Sequence, residues 1–299
     1  MLLRATHTTT YLYSNPVSIC HTEVHLGPRI STRQRLVEHE LLIKPTPATI
    51  DERLDYFGNP VTYFCLSEPH LTLTRTSRSV IEMRGEAPAL TGLSPAWEEV
   101  TDQIRKRENP ESLAAAEFVF ESPLIEIGPE FAAFAAKSFT SGRPLLEAAL
   151  DLSHRIFTSF KYDPRATTVT TPVREVLKTK HGVCQDFAHF LIACIRSLGI
   201  PARYVSGYLR SGQNSIGAEA SHAWAAVFCP GYGWFDFDPT NDVMPAGGHV
   251  TVAWGRDYSD VTPVKGVALG GGEQLINVAV EVIPVSELRT ETEVQERFP

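Results

Sequence analysis

The sequence predicts an α+β protein: a β-sandwich-like N-terminal domain, then a core in which a cysteine-bearing helix packs on an antiparallel sheet carrying a histidine and an aspartate. Three observations predict it. Residues 1–85 alternate apolar and polar side chains over short stretches divided by turn residues. One long apolar helix starts at Cys184. Two strands after it are joined by the turn Pro230-Gly231-Tyr232-Gly233, which reads as a hairpin.

In residues 1–85 the alternating stretches are 8–13, 20–26, 35–43, 60–66, 70–76 and 79–83, with turn signals at Asn15-Pro16, Gly27-Pro28, Pro45-Thr46-Pro47 and Gly58-Asn59-Pro60. Residues 86–144 form a linker and helical segment. The linker, 87–95, is rich in Pro, Ala and Gly. Residues 97–107, 110–120 and 129–139 are helical in character, the last two entered through Pro, whose missing N–H does no harm there. The core is placed at 145–285. It opens with the helix 145–160, on which Leu146, Ala149, Leu150, Ser153, Ile156, Phe157 and Phe160 share a stripe. A Thr-rich loop at 167–171 and a short helix at 172–179 deliver the chain to Cys184. Strands follow at 202–210, 221–229, the stretch ending at Asp238, 250–258 and 278–282, with Gly270-Gly271-Gly272 as a turn. Residues 286–299 read as an acidic tail.

The chemistry centres on Cys184. Phe187, Ala188, Leu191, Ile192, Ile195 and Leu198 recur at three- and four-residue steps after it, and Gly199 and Pro201 end the helix. A thiol in a first helical turn sits among unpaired backbone N–H groups and the positive end of the dipole, both of which favour the nucleophilic thiolate. His222 lies at the start of one hairpin strand and Asp238 at the end of the other, so the hairpin makes them neighbours. Asp236 shares a face with Asp238 by period two and competes for the same role. Nucleophile, base and orienting carboxylate are the parts of acyl transfer. An oxyanion donor is expected from the Cys184 backbone N–H, with Tyr162, Gln185 or the 240s loop as further oxyanion or substrate contacts. The polar loop 211–220, just before His222, is the candidate lid.

The segments G-V-C-Q-D-F-A, S-H-A-W and G-W-F-D-F-D-P-T resemble the three signature segments of the transglutaminase-like superfamily, relatives of papain-type cysteine proteases. The resemblance covers roughly the second half of the chain. It implies a papain/transglutaminase-like core with Cys184 as nucleophile, His222 as base and then acid, and Asp238, rather than Asp236, fixing the imidazole. T-H-T-T-T-Y, H-L-G-P-R, D-Y-F-G-N-P and E-P-H-L-T-L-T resemble the N-terminal region of bacterial transglutaminase-like proteins. The implied activity is attack on an amide or peptide bond through a thioester. Hydrolysis is favoured because nothing visible shields the thioester from water. Glutamine γ-glutamyl transfer to an amine, small-acyl transfer from a coenzyme A thioester, and a non-catalytic binding scaffold are the alternatives.

Other features carry less. Cys194 and Cys229 fall within the apolar helix and strand as small hydrophobes. Asp186 suits a first turn on dipole grounds alone. Cys184 and His189, five apart, point roughly 140° from each other on a helix, which is poor for shared zinc ligation. His7, His21, His25, His39 and His70 are scattered, so no metal and no cofactor is expected. The net charge of −8 lies outside residues 1–90, which hold nine basic and nine acidic residues, and no basic stripe suggests nucleic acid. No apolar run is long enough to span a membrane and no secretory signal is visible. Five scattered cysteines suit a reducing cytoplasm. The expected partner is a peptide or protein substrate.

Overall fold

The computed structural model describes residues 1–84, 94–107, 109–212, 215–217 and 220–287. Most of the expected linker at 87–95, most of the acidic tail and part of the loop 211–220 lie outside the described residues.

The N-terminal half is organised on one strand, β1 (Leu2–Val24). Its first part pairs antiparallel with β5 (His70–Met83), which continues to β2 (Gln34–Lys44). Its second part pairs with β4 (Pro60–Leu66), which continues to β3 (Thr49–Leu54). Side chains from β1, β2, β4 and β5, among them Val17, Cys20, Ile43, Phe64, Leu66 and Leu73, enclose a small core of their own. Three details depart from the sequence reading. Asn15-Pro16 is not a turn between two strands but an irregularity inside β1, where the register against β5 shifts between Leu12 and Val17. Residues 70–76 and 79–83 are likewise one strand. The sheet also takes in β12 (Val264–Gly270) and β13 (Gln274–Pro284) from the far end of the chain, both paired with β1. Residues 264–284, expected in the core, therefore complete the N-terminal sheet.

Among the described residues five α-helices precede the central one: α1 (Trp97–Lys106), α2 (Pro110–Ala115), α3 (Pro129–Ala135), α4 (Leu145–Ser159) and α5 (Val173–Thr179). α6 (Cys184–Arg196) is buried on every side from Asp186 to Arg196, so it is the interior of the domain rather than an amphipathic cover. It packs on a four-stranded antiparallel sheet ordered β10 (Gly233–Phe237), β9 (His222–Cys229), β8 (Ala202–Leu209), β11 (His249–Gly255). Arg196, 2 % exposed, ends α6 by donating to the carbonyls of Ala202, Phe120 and Arg256.

β11 is an edge strand, and the N-terminal half closes it with side chains. The Gln34 carboxamide donates to the Thr251 carbonyl at 2.7 Å and accepts from the Thr251 N–H at 2.9 Å. Asn59, fully buried, does the same to Trp254, with both contacts at 2.9 Å, while also accepting from Arg29. Two amides thus occupy the place of a missing neighbouring strand. Nearby, His7 bonds the Tyr208 hydroxyl at 2.9 Å. Leu3, Ala5, Ile81, Met83, Val280 and Val282 join the main apolar core, so the two halves share one interior.

Replacing Asn59 by Leu leaves the Trp254 backbone pair without its partner and takes one acceptor from the Arg29 guanidinium. Urea unfolding is expected to show a loss of about 2–4 kcal/mol. The exposed Tyr56→Ala control is expected within about 0.5 kcal/mol of the parent.

Candidate active site

Local sequence puts Cys184 at the head of α6. Lys180, in the left-handed region at φ 55°, closes α5, and the chain then runs through the short strand β7 (His181–Gly182). β7 pairs parallel with β6 (Lys161–Tyr162). Val183 is extended, and Asp186 turns back to accept its N–H at 2.8 Å and the Thr167 hydroxyl at 2.6 Å. Gly182 is required there, because a Cβ would fall 2.6 Å from the Asp186 carboxylate. Asp186 is thus a fastening for the turn that presents the thiol, and burial lifts its carboxyl above the usual range.

His222 begins β9, and its ring has no exposed surface. Nε2 donates to Asp238 Oδ2 at 2.8 Å. With Nε2 engaged, Nδ1 is the remaining ring nitrogen, and it has no hydrogen-bond partner among the described residues. Burial disfavours the charged ring. The Asp238 carboxylate and its hydrogen bond, together with the nearby Cys184, outweigh that and raise the imidazole to about 10. Asp238 is driven upward by burial but is held well below the carboxylate range by His222 and His249.

The carboxylate is saturated. Besides His222, Oδ2 accepts from His249 at 3.2 Å and from the Asn241 carboxamide at 2.9 Å, and Oδ1 accepts the N–H groups of Thr240 and Asn241. Asn241 also exchanges hydrogen bonds with both backbone groups of Ile216, so Ile216 is fastened to the same carboxylate. Gly217, at φ 90°, lies against the imidazole; a Cβ would sit 2.9 Å from Nδ1. The ligand-type atoms of His222, Asp238 and His249 are within 4.8 Å of one another, a spacing compatible with a cation. Here both Nε2 atoms are committed to the carboxylate.

Of the residues singled out from sequence, Cys184, His222 and Asp238 are brought together. Asp236 is elsewhere, paired with Arg33 at 2.9 Å. Tyr162 lies half-buried on the Phe187 ring; burial and the nearby charges of Cys184 and Asp186 raise its hydroxyl pKa. The Gln185 carboxamide donates to the Val169 carbonyl at 2.9 Å, tying α6 to the Thr-rich loop. His189 is buried and accepts the Tyr258 N–H, and burial pushes its pKa down to about 3. Sequence reasoning missed His249 and Asn241. Asn241 lies three residues past Asp238 and could have been proposed as a turn residue capping it, whereas nothing local marks His249.

Residues 132–239 match the transglutaminase-like superfamily and residues 3–82 match the bacterial transglutaminase-like N-terminal region. An uncharacterized protein of Mycobacterium tuberculosis is 42% identical over 294 residues, covering 94% of this chain and 92% of that one. A protein-glutamine gamma-glutamyltransferase of Pseudomonas aeruginosa is 31% identical over 99 residues, 29% of this chain and 15% of that protein. A solved structure from Cytophaga hutchinsonii, described as a candidate cysteine protease, superposes with a TM-score of 0.74 at 21% identity, covering 94% of this chain and 90% of that one, a likeness of fold. The chain belongs to the transglutaminase-like superfamily. Among the described residues no helix is long and apolar enough to cross a membrane.

The raised imidazole is directly measurable. Nitrogen NMR of the His222 ring is expected to show it protonated through neutral pH, titrating near 10. In Asp238→Asn burial dominates and the titration falls to the ordinary value of 6.5 or below. The sign for stability follows: the pair's contribution is complete below 6.5, is lost as pH climbs through about 10, and also fades in acid as Asp238 takes up a proton.

Proposed function

We propose that this chain is a cysteine hydrolase of amide bonds with a peptide or protein substrate, in which Cys184, His222 and Asp238 form the catalytic triad. The observation that carries the reading is the buried imidazole held by Asp238 through Nε2, with Nδ1 left to the Cys184 thiol. The sulfur, its proton passed to Nδ1, attacks the substrate carbonyl carbon and forms an S–C bond. The tetrahedral oxyanion collapses, the C–N bond breaks, and the amine leaves with the proton from His222. Water then adds to the thioester, His222 taking its proton. The acid departs and the thiol is restored.

The oxyanion would be met by the backbone N–H groups of Cys184 and Gln185 in the first turn of α6. The Tyr162 hydroxyl, kept protonated by burial and with Cys184 among the charges acting on it, would be a third donor. Gly217, lying against Nδ1, would cover that face of the imidazole and limit what reaches it. The five free thiols fit a cytoplasmic setting, where they stay reduced. A net charge of −8 gives no electrostatic handle for nucleic acid.

Transamidation is the second reading, favoured by the similarity to a protein-glutamine gamma-glutamyltransferase. The two differ only in what resolves the thioester, water or a primary amine. A glutamine-containing peptide library assayed for amide cleavage, ammonia release and incorporation of a fluorescent primary amine separates them. Hydrolysis predicts cleavage or ammonia without amine capture. Amine capture exceeding hydrolysis would establish the transferase, and neither product would leave a binding scaffold.

Cys184→Ala and His222→Ala are each expected to lower turnover by about 10⁴-fold or more. Asp238→Asn is expected to lower it by about 10²–10⁴-fold and to bring the alkaline limb of kcat/KM down from near 10. Gly217→Ala crowds Nδ1 and is expected to reduce kcat/KM at least about tenfold, with circular dichroism unchanged.

A further inference from the structure

On the face of the core sheet that carries Trp224, Trp234 and Trp254, a cavity of about 530 Å³ opens between β8, β10, β11 and residues 31–34 of the N-terminal half. Small-molecule pockets run roughly 300–1,000 Å³. Cys184 and His222 are not among its lining residues. One lining residue, His249, donates to Asp238.

The charges in its wall do not balance. Arg33, Arg84 and Arg203 line it against one carboxylate, Asp236. Arg33 is spent on Asp236 and Arg84 on Glu82. Arg203 is left over. It is 9 % exposed and lies between two indoles, 3.7 Å from the centre of Trp254 and 4.2 Å from that of Trp234. Its Nε is fully buried and has no hydrogen-bond partner among the described residues. Burial brings its pKa down to about 9, even with Asp236 acting on it through space. A buried guanidinium ordinarily finds acceptors, because leaving its donors unmade is costly. The two ring faces compensate only part of that cost, and they fix the fork in one orientation. Beside it are the apolar surfaces of Val205, Pro245 and Ala246 and the ring of Tyr232.

We propose that this cavity is a second ligand site, which takes a small organic acid: its carboxylate bonds to the Arg203 fork and its apolar body lies along Val205, Tyr232 and Pro245. A planar fork already stacked on aromatic rings suits a planar carboxylate. The acid is either a free molecule of the N-acyl amino acid type or the C-terminus of a peptide, since both present the same group. This site does not depend on the chemistry assigned to Cys184.

The test is calorimetric titration of the full-length protein with N-acetyl-phenylalanine, N-acetyl-phenylalaninamide and the tripeptide acid N-acetyl-Ala-Ala-Phe, repeated on Arg203→Met and on protein alkylated at Cys184. At least one acid is expected to bind saturably and at least about tenfold more tightly than the amide. Arg203→Met is expected to weaken it by about tenfold or more, and alkylation to leave it unchanged. Binding of the tripeptide acid as tightly as the free acid identifies a peptide terminus as the ligand, and binding of the free acid alone identifies a small molecule. Absence of saturable binding, equal binding of acid and amide, or binding kept by Arg203→Met but lost on alkylation overturns the proposal. If Arg203→Met does not fold, the acid and amide titrations of the unsubstituted protein decide.

Discussion

A carboxylate with no exposed surface stands where the second hairpin strand ends, and five donors converge on it from His222, His249, Thr240 and Asn241. Unpaired, such a charge would be expelled or neutralised at a cost of several kcal/mol. Paired this way, Asp238 is fixed in position and remains ionised, and that in turn fixes and charges the His222 ring. The donors come from separate parts of the chain: the start of β9, the turn after β10 and the start of β11. The position of one carboxylate therefore depends on three parts of the core at once, and Ile216 is tied to it through Asn241.

The N-terminal half has a mechanical role that its motifs make intelligible. Arg29, Asn59 and His7, each within a segment resembling a known N-terminal region, are the residues that fasten the core: Arg29 to Asn59 and the Trp254 ring, Asn59 to the Trp254 backbone, His7 to Tyr208. Gln34 repeats the device one turn of strand away. The Asn59 and Gln34 contacts close the outer edge of β11, the strand that supplies His249. The same interface encloses the Arg203 cavity, so the seam between the halves holds both a structural clamp and a ligand-sized space.

Much of this was legible because it is local. The apolar steps after Cys184, the Pro-Gly turn between two strands and the Pro-led helices each declare themselves within a few residues. What the sequence hid is non-local or exposed. β3 shows no buried face, and β12 is exposed along nearly its whole length, so neither carries the alternation that betrays a half-buried strand. The return of β12 and β13 to pair with β1 across the length of the chain has no local cue at all. Asn15-Pro16 misleads for a definite reason: a turn dipeptide also serves as a kink within a strand long enough to border several others. His249 and Gln34 are single polar residues whose partners lie in other elements, and only the assembled sheet reveals what they hold.

In the proposed chemistry the sulfur of Cys184 and the imidazole of His222 act as one reactive pair. Alkylation by iodoacetamide at neutral pH, followed by peptide mass spectrometry on all five cysteines, addresses it without knowledge of the substrate. Cys184 is expected to be modified well before Cys20, Cys65, Cys194 and Cys229, and its lead is expected to disappear in His222→Ala. Modification of Cys184 at the same rate with or without the imidazole would contradict it.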